Sequence, residues 1–121
     1  MTKANVTMNV RKIDDRTSAI DIQGEINAYA ENILMDAYTQ ATSADAKNII
    51  LNFSGLDYMN SSGIGLLVTL LIRANRQKQR LLAAGLSEHY RQIFELTRLN
   101  EAISIFPTEE DALAAVSSPV R

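Results

Sequence analysis

Val6, Met8 and Val10 alternate with polar residues, the period-two pattern of a half-buried strand. Asp14-Asp15-Arg16 reads as a turn, and residues 19–26 give a second alternating run, with Ile20, Ile22 and Ile26 on or near one face and Gly24 interrupting it. The short link between the runs predicts an antiparallel hairpin. Residues 28–42 are rich in Ala, Leu, Met and Tyr, and Ile33, Ala37 and Ala41 fall at helical spacing with Leu34 and Tyr38 beside them. That spacing predicts a helix. Residues 48–53 form a nearly continuous apolar run, the mark of a central strand buried on both faces. A turn is expected before Asp57, and a helix from just after Asn60 to about Gln79. From Gly63 to Ile72 that helix is apolar on most faces and is expected to be largely buried.

Residues 81–85 predict the next buried strand. Ser87 can cap a helix with Tyr90, Ile93, Phe94 and Leu96 facing inward. Residues 103–106 give a short last strand, and Pro107-Thr108-Glu109-Glu110-Asp111 opens a final helix, where proline and acids suit the free donors and the dipole. Residues 117–121 read as a frayed tail. The order β-β-α-β-α-β-α-β-α implies an α/β fold: a mostly parallel sheet of about five strands, an antiparallel edge hairpin and about four helices. No repeat, linker or low-complexity segment divides the chain, so residues 1–121 are expected to form one domain with an ordered core of about 5–116.

Composition narrows the function. The chain has 121 residues, 46% of them hydrophobic, enough for one core and too many for a disordered chain. The net charge of -2 gives no general pull towards nucleic acid or anionic lipid. With no cysteine, disulfides, thiolate metal sites and thiol catalysis are excluded. Residues 1–5 lack the pattern of a signal peptide, and the apolar stretch 64–72 falls far short of the ~20 residues needed to span a bilayer. A soluble, cytoplasmic protein without direct membrane insertion is expected.

His89 is the only histidine, so neither a zinc set nor a serine hydrolase can be assembled around it. Gly63-Ile64-Gly65 lacks the third glycine of a dinucleotide fingerprint, since position 68 is Val, and reads instead as a helix start packed close to the sheet. The basic residues Arg73, Arg76, Lys78 and Arg80 read as a solvated helix end, without the aromatic interleaving of a nucleic-acid surface. A receiver-type phospho-aspartate domain fails because the central strand ends Phe53-Ser54-Gly55, with no aspartate there. No base, metal set or cofactor loop supports an enzyme, and no cofactor is expected.

Asn60-Ser61-Ser62 remains. Capping explains one polar residue at a helix start. Two hydroxyls after an Asn, flanked by Gly63 and Gly65, sit where free N–H groups and the positive dipole end would welcome an added phosphate. The residues read as a regulatory switch, and physics alone leaves Ser61 and Ser62 as alternatives.

The run Ile50-Leu51-Asn52-Phe53-Ser54-Gly55-Leu56-Asp57-Tyr58-Met59-Asn60-Ser61-Ser62-Gly63-Ile64-Gly65 resembles the signature of STAS domains, in particular bacterial anti-sigma factor antagonists. Ile22 to Asn27 resembles the family's Gly-Glu-Leu-Asp strand end, Arg91 to Leu99 its late helix, and Ile105 to Leu113 its closing segment. The resemblance covers nearly the whole chain in order and implies a partner switch. The unphosphorylated chain would bind an anti-sigma factor that is also a GHKL-type serine kinase, freeing the sigma factor. Phosphorylation of Ser61, with Ser62 as the alternative, would end the complex, and a PP2C-type phosphatase would reset it. ATP and magnesium would belong to the kinase. The implied partner-binding residues are Asn27, Asp57, Met59, Asn60, Ser61, Ser62 and Gly63.

Two departures stand out. Asn60 replaces the Asp usual before the serine, and Asn27 replaces the Asp of Gly-Glu-Leu-Asp. Both remove negative charge beside the switch. They keep open an alternative: a STAS scaffold or small-ligand module in a larger complex, stressosome-like or lipid-transporting, with a weakened phospho-switch.

Overall fold

The computed structural model describes residues 5–42 and 46–117. The chain runs β1 (Val6–Asp14), β2 (Thr17–Ile26), a 3-10 turn (Ala28–Ala30), α1 (Glu31–Ala41), β3 (Asn48–Met59), α2 (Ser61–Arg76), β4 (Arg80–Ala84), α3 (Glu88–Leu96), a second 3-10 turn (Leu99–Glu101), β5 (Ser104–Phe106) and α4 (Glu109–Ser117). The expected α/β order is present. Of the tail expected at 117–121, Ser117 closes α4, and residues 118–121 lie outside the described residues, as do residues 1–4 of the segment read for a signal peptide.

The strands lie in sequence order, β1-β2-β3-β4-β5. β1 and β2 are antiparallel, closed by a turn in which the Asp14 carboxylate accepts the Arg16 N–H at 2.8 Å; every other pair is parallel. This order dictates the layers. Right-handed crossovers that all step the same way across a sheet put their helices on one face, and α1, α2 and α3 do share one core. There Leu34 and Tyr38, Leu67 and Leu70, and Phe94 pack on Ile20, Ile22, Ile49, Leu51 and Leu81, forming the main core. The other face carries a smaller apolar cluster, Ala19, Ile50, Leu82 and Ala84, closed by Ala112 of α4. The run at 48–53 is therefore buried on both sides, because its alternate residues feed two cores.

Several expectations are corrected. β3 does not turn before Asp57. It continues to Met59, held by β2 through Gln23–Gly55, Gly24–Leu56, Glu25–Tyr58 and Ile26–Met59, with two register shifts absorbing the irregularity. α2 ends at Arg76 rather than about Gln79, because Lys78 takes a left-handed conformation (φ 59°) and turns Gln79 inward, where its side-chain oxygen accepts the Tyr38 hydroxyl at 2.7 Å. Arg80 thus belongs to β4. Pro107 precedes α4, and Thr108 caps it by accepting the Asp111 N–H at 3.1 Å. Leu96, expected inward, is 84% exposed at the last position of α3. α2 is buried only along Gly63, Leu67, Leu70 and Ala74; Val68 (39%) and Ile72 (49%) face solvent.

Beyond the edge of the α4 cluster the sheet face is polar. Arg11 donates to both Asp21 oxygens (2.6 and 2.8 Å) and to Glu109, while Asn52 donates to Asp21 at 2.9 Å. The Arg11 bonds, helped by Asn52, hold the Asp21 carboxyl below its ordinary value of 3.8 against the opposing effect of desolvation. A folded value below the unfolded one stabilises the fold above about 3.8, and the contribution is lost as pH falls through the folded value. Because the pair is solvent-screened, Asp21→Asn is expected to cost about 1 kcal/mol in urea unfolding at about pH 7. The difference from the parent should shrink as the pH drops below the ordinary carboxylate value.

Candidate functional site

The parallel strands β2 and β3 end side by side at Ile26 and Met59, and each runs straight into a helical turn. Both exits are capped by asparagine. Asn27 accepts the Tyr29 N–H at 2.9 Å, and Asn60, in an extended conformation, accepts the Gly63 N–H at 3.0 Å. The two exits are also joined, since the Asn60 N–H donates to the Ile26 carbonyl at 3.3 Å.

Gly63 is what allows that closeness. A Cβ there would lie 2.5 Å from the Ile26 carbonyl oxygen and 2.7 Å from Met59 Cγ, one of them backbone that cannot step aside. Gly65 differs from the sequence expectation: a Cβ there would meet nothing within 4 Å, so close packing on the sheet does not account for it.

Ser61 and Ser62 are the first two residues of α2, both exposed. Neither hydroxyl makes a hydrogen bond within the described residues. The Asn60 side chain takes the Gly63 N–H and its carbonyl the Ile64 N–H at 3.0 Å, and no acidic side chain lies in the first turn. The turn thus presents free hydroxyls, donors and the positive end of a 16-residue helix. Spacings of four, seven and eleven residues put Ser61 in line with Gly65, Val68 and Ile72 on the solvent face of α2. A serine therefore heads an exposed stripe with two large apolar side chains below it.

The fold brings Asn27, Met59, Asn60, Ser61, Ser62 and Gly63 together. Met59 (4% exposed) and Gly63 are buried, so they shape the turn from beneath. Asp57 lies apart, exposed two residues back in β3, and no hydrogen bond or ion pair ties it to the serines. His89 is exposed, its ring edge-on to Tyr90 at 4.8 Å. Arg73 leaves the basic cluster to lie 5.7 Å over the Tyr38 ring. One contributor was missed from sequence: the Tyr90 hydroxyl accepts the Met59 N–H at 2.8 Å.

Among the described residues no group of acids and histidine could hold a metal ion, and no helix is long and apolar enough to cross a membrane. A shallow cleft of about 410 Å³, lined by Arg91, Glu95, Asn100, Ile105, Phe106 and Pro107, contains none of the site residues.

Comparison with known proteins gives these features a context. The family model described as STAS domain matches residues 8–112. The anti-sigma-B factor antagonist of Staphylococcus aureus (strain NCTC 8325 / PS 47) is 26% identical over 91 residues, covering 75% of this chain and 84% of that protein. A crystal structure of an anti-sigma factor antagonist from Mycobacterium paratuberculosis superposes with a TM-score of 0.80 at 21% identity, covering 97% of this chain and all of that one (100%). The Bacillus cell fate determinant SpoIIAA in its phosphorylated form superposes with a TM-score of 0.66 at 24% identity, covering 91% and 99%.

The two glycines of the turn should respond oppositely to one methyl group. Gly65→Ala is expected to raise stability by about 0.5–1 kcal/mol, because an open helical glycine only costs entropy. Gly63→Ala should destabilise by more than about 1 kcal/mol, since the Ile26 carbonyl must move. Paired thermal and urea unfolding curves check both signs.

Proposed function

The chain belongs to the STAS domain family, and on that premise we propose that it is an anti-sigma factor antagonist whose partner binding is switched off by phosphorylation of Ser61. The observation that carries the reading is the placement of Ser61: exposed, free of hydrogen bonds, at the positive end of α2 and at the head of the stripe through Val68 and Ile72. The naming of curated relatives as anti-sigma-B factor antagonists supports the role, and the solved phosphorylated form of SpoIIAA supports the covalent switch.

The partner is an anti-sigma factor with GHKL-type serine kinase activity, which supplies its own ATP and magnesium. A PP2C-type phosphatase removes the phosphate. In the unphosphorylated state the partner covers the Ser61 turn and the apolar stripe, gaining free energy from buried area. The kinase moves the terminal phosphoryl group of ATP to Ser61 Oγ, leaving ADP. The dianion is tolerated in the free chain, where N–H groups and the dipole face it and Asn60 and Asn27 bring no charge. In a closed interface the same dianion must lose water and meet partner carboxylates, so the complex separates.

A second reading is favoured by the two neutral caps. Asn27 and Asn60 stand where the family pattern has acids, and a kinase that recognises those acids phosphorylates this chain poorly. The chain is then a STAS scaffold or small-ligand module in a larger complex.

Ser61→Ala is expected to bind the anti-sigma partner without interruption, and Ser61→Asp about a hundredfold more weakly, in calorimetric titrations of the purified pair. Equal affinities for both variants and the parent would overturn the switch. Peptide mapping after incubation with magnesium-ATP and extract should place one phosphate on Ser61. Phosphate on Ser62 would move the switch by one residue, and none would favour the scaffold.

A further inference from the structure

Consecutive amides at the end of β3 point to opposite sides. The Asn60 N–H reaches back to β2, so the Met59 N–H faces the side where β4 would continue. β4 does not reach it. Its pairing with β3 stops at Asn52–Ala84, and Gly85 (φ 78°) turns the chain away, so close to β3 that a Cβ would lie 2.4 Å from Ser54 Oγ. The half of β3 that leads into the serine turn therefore has strand support on one side only. A buried N–H there would be orphaned, and such groups are rare because they cost as much as a lost hydrogen bond.

The chain returns as α3, whose third residue fills the gap. Tyr90 is 7% exposed, its ring lies in the main core, and its hydroxyl accepts the Met59 N–H at 2.8 Å. That contact is shorter than the 3.3 Å bond holding Asn60 to Ile26 from the opposite side. Tyr90 is itself placed by its backbone, since its N–H donates to the Ser87 cap at 3.4 Å.

The geometry points to Tyr90 as a positioning residue of the switch: by fixing the Met59 amide it sets how Asn60 and Ser61 are presented to the kinase, and it links α3 to the serine turn. This rests on the reading of Ser61 as the phosphoacceptor. A phosphoacceptor hydroxyl must be held in a narrow geometry for in-line transfer, so a turn gripped on one side should lose turnover more than encounter.

The experiment compares the parent with Tyr90→Phe, which keeps the ring, and with Phe94→Leu, which loosens the same helix at its Phe53 contact without touching the turn. Amide exchange on the free protein is expected to quicken at Met59 and Asn60, whose N–H groups are bonded, by about tenfold in Tyr90→Phe relative to core amides such as Leu51. Phe94→Leu should raise exchange without that local excess. With magnesium-ATP and the extract fraction that phosphorylates the parent, Tyr90→Phe should lose about tenfold in kcat with KM nearly unchanged. Phe94→Leu should keep its kcat. An unchanged kcat in Tyr90→Phe overturns the inference whatever the exchange shows, and so does an equal fall in Phe94→Leu. A parent that takes no phosphate overturns the phosphoacceptor reading as well, which separates the two failures.

Discussion

The pairing of β2 with β3, carried past the point where β4 stops, is the constraint on which the site depends. It brings the Ile26 carbonyl beside Asn60 and Gly63, so α2 begins directly against the neighbouring strand. The helix start is thus anchored through backbone atoms, which do not adapt as side chains do. The register shifts near Gln23 and Glu25 let a strand of twelve residues stay paired with one of ten until both reach the same edge. Without that late pairing, Asn27 and Asn60 would cap two unrelated helical turns, and the serines would have no fixed relation to β2.

The one-way order of the sheet has a second consequence. Because three crossovers place α1, α2 and α3 in a single layer, no helix among the described residues covers the outside of α2. Its buried line satisfies the core, and Val68 and Ile72 are left over. Exposed apolar residues are ordinary when scattered. Here two of them continue the line of an unpaired serine on the same helix, which gives the exposure a direction.

Much of this was legible in local pattern, and what was not depended on distant partners. Val6-Met8-Val10 and Ile20-Ile22 announced the hairpin because one face of each strand is covered by the main core, while the other, apart from Ala19 under α4, carries groups such as Arg11 and Asp21. The Asn60-Ser61 helix start was legible because capping is settled within three residues. The second half of β3 was not: Gly55 and Asp57 disfavour strand, and only pairing with β2 overrides them. The apolar count of α2 suggested deep burial, but burial depends on what lies above a helix. Leu96 fitted an inward spacing, yet its helix ends there and the chain bends at Arg98 (φ 65°). Tyr90 read as core, which its ring is. The use of its hydroxyl follows from where β4 ends, a fact no local window contains.

The two asparagines bear on how a phosphate at Ser61 would act. An aspartate at position 60 caps as asparagine does, so the choice between them is neutral for the fold. It is not neutral for charge. A dianion beside a carboxylate is destabilised in the free chain as well as in a complex, which adds nothing to the difference between them. With Asn60 and Asn27 the free chain pays little for the phosphate, because the helix start offers donors and no opposing acid. The change in affinity would then come almost wholly from the partner's side of the interface, from its own carboxylates and from the water it must strip. The size of such a switch would be set less by this chain than by what binds it, whereas the rate at which the hydroxyl is modified would depend on how firmly Ile26, Asn60 and Tyr90 hold the turn.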